Sequence, residues 1–246
     1  MGAQFRVIAH RGATTNAPGN TIAAFRSAKS LGVDAVELDV RLSRDGVPIV
    51  HHNYYLDREE RRPIFQLTAP ELERALVADS RSELSGMHPI PKLAQVLNEF
   101  AGSLGLEIEL KGPELNASAR VATLLADHKQ VWESIEITSS HVALLLDFAE
   151  RCPAVATALL FPASEPWMHE DVLAYAALHQ ASSARASAVH LHANQLTDGV
   201  VSTIRSGGVD VHAHSVNDQH ALELVASLQV TAICTDEPAL AVAFRR

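Results

Sequence analysis

Aromatic residues are scarce in this sequence: Phe, Tyr and Trp together make up 5% of 246 residues. A core built almost without rings has to be packed by Leu, Ile, Val and Ala, and the 47% of apolar residues is ample for that. Cysteine is nearly absent. The two present, Cys152 and Cys234, stand far apart and in no metal-like spacing, which excludes a disulfide framework and fits two reduced, buried thiols. No apolar run reaches the roughly 20 residues a membrane span needs. A strand-like run begins almost at once in MGAQFRVIAHRG, so no signal peptide is recognised and a cytoplasmic location is expected. Positive charge is also in deficit, with 20 Lys and Arg against 29 Asp and Glu, a net charge of −9, and no basic cluster. Non-specific nucleic-acid binding requires clustered positive charge, so it is excluded. The overall charge governs solubility and leaves open a local site for a small anion.

What is present is an alternation of short apolar runs with longer amphipathic ones. Strands are predicted at 5–10, 35–42, 105–111, 135–139, 155–161, 187–191, 209–214 and 231–235. Helices are predicted at 21–31, 93–102, 117–127, 141–151, 170–181, 197–206, 218–226 and 238–244. Eight strands alternating with eight helices indicate a parallel α/β architecture, and the count indicates a (β/α)8 TIM barrel. One domain is expected over residues 1–246. The charged stretch from about residue 46 to 91 breaks the alternation and is too long for a plain connection. It reads as a small insertion after the second strand, an extra hairpin at 48–52 and an excursion over the barrel mouth.

Barrel enzymes gather their reacting groups at the carboxyl ends of the strands. The first predicted strand ends Ile8-Ala9-His10-Arg11-Gly12, the second holds Glu37-Leu38-Asp39, and the third holds Glu107-Ile108-Glu109-Leu110-Lys111. Alternate strand residues share a face, so Glu37 and Asp39 point one way, as do Glu107, Glu109 and Lys111. Two carboxylates about 4 Å apart repel by roughly 4 kcal/mol at an effective dielectric of 20. One ammonium cannot balance three or four of them, whereas a hard divalent cation with oxygen ligands can. Among 13 histidines, His10 stands out at a strand end, and either His51 or His52 can face the site from the end of the VPIVHH run. Alternation alone leaves that choice open.

Together these segments resemble the glycerophosphodiester phosphodiesterase family. The matching residues are His10-Arg11-Gly12, Pro18-x-Asn20-Thr21, Glu37-Leu38-Asp39, Asp45-Gly46, His52 with Leu56-Asp57-Arg58, Ile90-Pro91, Glu109-x-Lys111, Val216-Asn217 and Thr235-Asp236-x-Pro238. The resemblance implies a divalent metal ion (Mg2+, Ca2+ or Mn2+) on Glu37, Asp39 and Glu109, with His10 and His52 as the acid–base pair. It implies Arg11, Lys111 and His214 as substrate-binding residues and a small-molecule phosphodiester as the partner. The implied reaction is hydrolysis of a glycerophosphodiester to glycerol 3-phosphate and an alcohol. Departures from the family pattern are Gly19 for an acid, Asn53 for an aspartate, His214 for a tryptophan, and the charged Glu107. They motivate two alternatives: action on another phosphodiester class (a lysophospholipid or cyclic diester), or a non-catalytic barrel that binds a phosphorylated ligand. Nothing in the sequence sets the oligomeric state.

Overall fold

The computed structural model describes residues 5–15, 17–56, 61–77, 87–165 and 167–245. In chain order the elements are β1 (Arg6–Ala9), α1 (Ile22–Leu31), β2 (Ala35–Leu42), β3 (Pro48–Val50), α2 (Ala69–Arg74), β4 (Leu76–Val77), β5 (His88–Pro89) and α3 (Leu93–Phe100). They continue with β6 (Gly105–Leu110), α4 (Ala117–Leu125), β7 (Ile135–Ser139), α5 (Val142–Arg151), β8 (Ala156–Leu160), α6 (Glu170–Ser183), β9 (Ala188–His192), α7 (Asp198–Ser206), β10 (Asp210–His214), α8 (Gln219–Ser227), β11 (Ala232–Thr235) and α9 (Pro238–Arg245).

Strands β1, β2, β6, β7, β8, β9, β10 and β11 pair in parallel, and β1 closes the ring by pairing with both β2 and β11. The expected TIM barrel is therefore present, and each expected strand and helix lies within a few residues of its expected span. β2 is long enough to pair β6 in parallel over Ala35–Val40 while its end pairs β3 antiparallel, Val40 against Val50. That switch launches the excursion. It carries a small apolar core of its own in Ile49, Ile64, Ala69, Leu72 and Ile90. The expected hairpin is shorter than read, because strand pairing stops at Val50 and leaves His51 and His52 on the following loop. The Asp57-Arg58 pair used in the resemblance lies outside the described residues.

The main core sits between the strands and the surrounding helices. Outward-facing Leu38, Ile108, Leu110 and Ile137 pack there against residues such as Phe25 and Phe100, whose rings meet edge to face at 5.9 Å. The axis of the barrel holds only a thin apolar patch of Ile8, Ala35, Ala232 and Cys234. Most other inward positions are polar, with Ala158, Leu160 and Ala188 as apolar exceptions, and buried polar groups are costly unless they find partners.

Candidate active site

Local structure fixes the first wall of the mouth. Arg11 (φ 57°) and Asn20 (φ 62°) both take left-handed backbone around the turn into α1. The Asn20 amide donates to the Arg11 carbonyl at 2.9 Å. Thr21 caps α1: its Oγ1 accepts from the Ala24 amide and donates to the Pro18 carbonyl at 2.7 Å. This turn places two groups on the β2 carboxylates. The Arg11 amide donates to Glu37 Oε2 at 3.1 Å. The Asn20 side chain bonds Asp39 twice, Nδ2 donating to Oδ2 at 2.7 Å and Oδ1 accepting the Asp39 amide at 3.1 Å.

The register Asp39 to Glu109 brings the third acid alongside. One carboxylate oxygen from each of Glu37, Asp39 and Glu109 lies within 4.8 Å of the other two. Two cations border them. Lys111 Nζ is 2.7 Å from Glu109 Oε2 and 3.0 Å from Asp39 Oδ1, and Arg11 Nε is 3.0 Å from Asp39 Oδ2. Burial would raise the Asp39 carboxyl, but Lys111, Arg11, His52 and the Asn20 bond hold it well below the usual range. Burial, reinforced by repulsion from Asp39, Glu109 and Glu107, pushes Glu37 well above it. Burial also raises Glu109 against the pull of Lys111. Glu37 Oε1 is buried with no hydrogen-bond partner. An orphaned buried oxygen among three convergent carboxylates is the donor set a hard divalent cation fits.

His10 continues the β1 ladder, its amide donating to the Thr235 carbonyl. Its Nδ1 is 2.7 Å from Asp236 Oδ1, and its Nε2 lies 3.9 Å from Glu37 Oε2. The His10 bond, outweighing burial and joined by Asn217 Nδ2 at 2.9 Å, holds Asp236 at about 2. An ionised carboxylate only accepts, so His10 Nδ1 donates to Asp236 and Nε2 is the ring nitrogen left toward the mouth.

His51 and His52 part company on the loop after β3. His51 is buried, and its Nε2 meets the Tyr55 carbonyl at 3.1 Å. His52 is half-buried, with Nδ1 on Asn53 Oδ1 at 3.0 Å. Burial lowers both imidazoles. Arg41, inward on β2, donates to the His52 carbonyl at 2.9 Å and to the Gly112 carbonyl at 3.0 Å. His214 ends β10 edge to face with His192 at 5.2 Å, and burial pushes it down to about 4.

Sequence reasoning did not single out Asn20, Arg41, Asn217 or Asp236 as site residues. The signal for Asp236 was its place directly after a barrel strand, in a segment used only for the resemblance. Arg41 shares the inward parity of Glu37 and Asp39. Gly19 brings no acid to Arg11, whose Nε lies 3.0 Å from Asp39 Oδ2.

A closed parallel barrel with acids, imidazoles and two cations at the carboxyl ends of its strands is the arrangement of a barrel hydrolase acting on an anion. The chain belongs to the glycerophosphoryl diester phosphodiesterase family, which it matches over residues 10–240. It is similar to the glycerophosphodiester phosphodiesterase of Caldanaerobacter subterraneus, 29% identical over 240 residues and 94% of each chain. Among solved structures it resembles the Agrobacterium tumefaciens glycerophosphodiester phosphodiesterase (26% identity, TM-score 0.79, 98% of this chain and 100% of that one). It also resembles an Oleispira antarctica phosphodiesterase in complex with the product sn-glycerol-3-phosphate (25% identity, TM-score 0.81, 97% and 96%). The chain is thus a phosphodiesterase that hydrolyses glycerophosphodiesters, and the non-catalytic alternative falls. Among the described residues no helix is long and apolar enough to cross a membrane.

Proposed function

We propose that Glu37, Asp39 and Glu109 hold one divalent cation, Mg2+, Ca2+ or Mn2+, and that His10 and His52 move the protons as the chain converts a glycerophosphodiester to glycerol 3-phosphate and an alcohol. The observation that carries this reading is the convergence of three carboxylates, one with an orphaned oxygen, beside His10. When bound, such an ion neutralises the non-bridging phosphate oxygens and polarises the attacking oxygen. His10 Nε2, freed by the Asp236 bond to Nδ1, takes the proton from the attacking glycerol hydroxyl. His52 delivers a proton to the departing alkoxide. That displacement joins the glycerol hydroxyl oxygen to phosphorus as the P–O bond to the alkoxide breaks, leaving a cyclic phosphate that water opens with the two proton roles reversed. Arg11, Lys111 and His214 line the site for the phosphate and its substituent. The two free cysteines accord with a reducing, cytoplasmic compartment, and turnover of glycerophosphodiesters would place the enzyme in glycerol and lipid metabolism.

Glu37→Gln tests the metal assignment. It should keep the barrel, measured by far-UV circular dichroism, and lose metal-dependent turnover of glycerophosphocholine. Turnover at the parent rate would remove Glu37 from the ligand set.

A further inference from the structure

Below the mouth, toward the amino ends of the strands, lies a second cluster that the hydrolysis does not use. The register pairs Glu107 of β6 with Glu136 of β7, one inward step beneath Glu109 and Thr138. It pairs His190 of β9 with His212 of β10, one inward step beneath His192 and His214. His190 is 1% exposed, and Glu136 and His212 are each 7% exposed. His190 Nε2 and His212 Nδ1 are 3.0 Å apart. Glu136 Oε2 lies 3.8 Å from the first and 3.6 Å from the second. A fourth donor atom, Glu107 Oε2, is 3.8 Å from His190 Nε2.

A proton shared between the two imidazoles accounts for the short nitrogen–nitrogen distance. It still leaves Glu136 Oε2 and Glu107 Oε2, both buried, without a hydrogen-bond partner. Tetrahedral shells with bonds of about 2.0–2.1 Å place their donors about 3.4 Å apart, and the three separations within the cluster bracket that value. We propose that Glu136, His190 and His212 form a second, buried metal site inside the barrel, taking a transition-metal ion such as Zn2+. Two imidazoles and a carboxylate suit such an ion and not Mg2+ or Ca2+, which take oxygen ligands. The ligand set at the mouth, Glu37, Asp39 and Glu109, offers oxygen alone. One barrel therefore carries two sites of opposite metal preference, stacked along its axis. Glu107 supplies either a fourth ligand or an acceptor for a bound water. The site is enclosed, so the ion enters as the barrel forms and leaves slowly.

The test uses the full chain expressed in minimal medium supplemented with Co2+, a spectroscopic stand-in for Zn2+. Elemental analysis after dialysis, visible absorption and X-ray absorption at the cobalt edge are the readouts. The expected result is about one retained Co2+ per chain with imidazole scattering and a four-coordinate absorption band. The signal should persist in Glu37→Gln, which disables the mouth, and vanish in His190→Gln and in His212→Gln. If those variants do not fold, the parent protein still decides. Cobalt with oxygen ligation only, or none retained after either expression or refolding with the ion, overturns the proposal. Imidazole-ligated cobalt that survives both histidine substitutions overturns it too.

Discussion

At the scale of single residues, the two histidines of the VPIVHH run show how a one-position difference decides chemistry. His51 spends its ring nitrogen on the Tyr55 carbonyl inside the protein, whereas His52 stays half-buried beside Asn53. Replacing His10 or His52 by Ala should lower kcat by at least about a hundredfold, the usual scale of acid–base assistance. His51→Ala should cost far less in kcat and show its effect in stability. Steady-state assays of the three variants settle the matter, and equal losses at His51 and His52 would sink the assignment. Asp236 offers a separate handle through pH. Its folded value of about 2 lies below the ordinary aspartate value of about 3.9, so its contribution to stability is complete above about pH 3.9 and is lost as pH falls through about 2. Asp236→Asn should therefore be less stable than the parent near neutrality, with the gap closing in acid. Urea midpoints at about pH 6 and about pH 3 measure it; a gap that widens in acid contradicts the assignment.

At the scale of elements, the start of α1 does more than begin a helix. Thr21 ties the first turn to Pro18, and Asn20 reaches from the same turn to both ends of Asp39. Thr21→Ala removes the cap, at a typical cost of about 1 kcal/mol, and leaves the buried Pro18 carbonyl without its donor. We expect a lower melting temperature together with weaker metal activation, because Asn20 loses its support. Thr21→Ser should restore both, since it keeps the hydroxyl. A Thr21→Ala variant that loses stability yet needs no more metal than the parent would separate the cap from the site. Gly19 belongs to the same turn. A Cβ there would sit 3.0 Å from Arg11 Cβ, so any side chain at this position requires the Arg11 stem to shift by a few tenths of an ångström.

At the scale of the molecule, stability and catalysis draw on different parts of the barrel. Most apolar packing lies outside the strands, against the helices, while the axis holds a small apolar patch and many charged groups. Chelation of the mouth ion should therefore stop turnover without dismantling the fold. Turnover should fall by more than about a hundredfold, consistent with the several kcal/mol such ions contribute to the transition state. The far-UV spectrum should be retained, and Mg2+, Mn2+ or Ca2+ should restore activity. The melting temperature should drop when the ion is stripped, because ligand binding to the native state alone stabilises it by mass action. Full activity in exhaustively stripped protein would rule out a metal-dependent reaction.

The sequence by itself determined the architecture and the carboxylate parity. Eight strand–helix alternations allow few other arrangements, and a period of two forces Glu37 to share a face with Asp39 and Glu109 with Lys111 whatever the fold around them. Residue type and strand-end position also marked His10. Only the tertiary structure decided how these groups are partnered, because the contacts join segments far apart in the chain. His10 meets Asp236 across 226 positions, and Asn20 finds Asp39 because α1 packs back on β2. The same holds for Glu136, His190 and His212. Each reads in sequence as one polar residue alternating with apolar neighbours, and only barrel closure turns three separate strands toward one point on the axis.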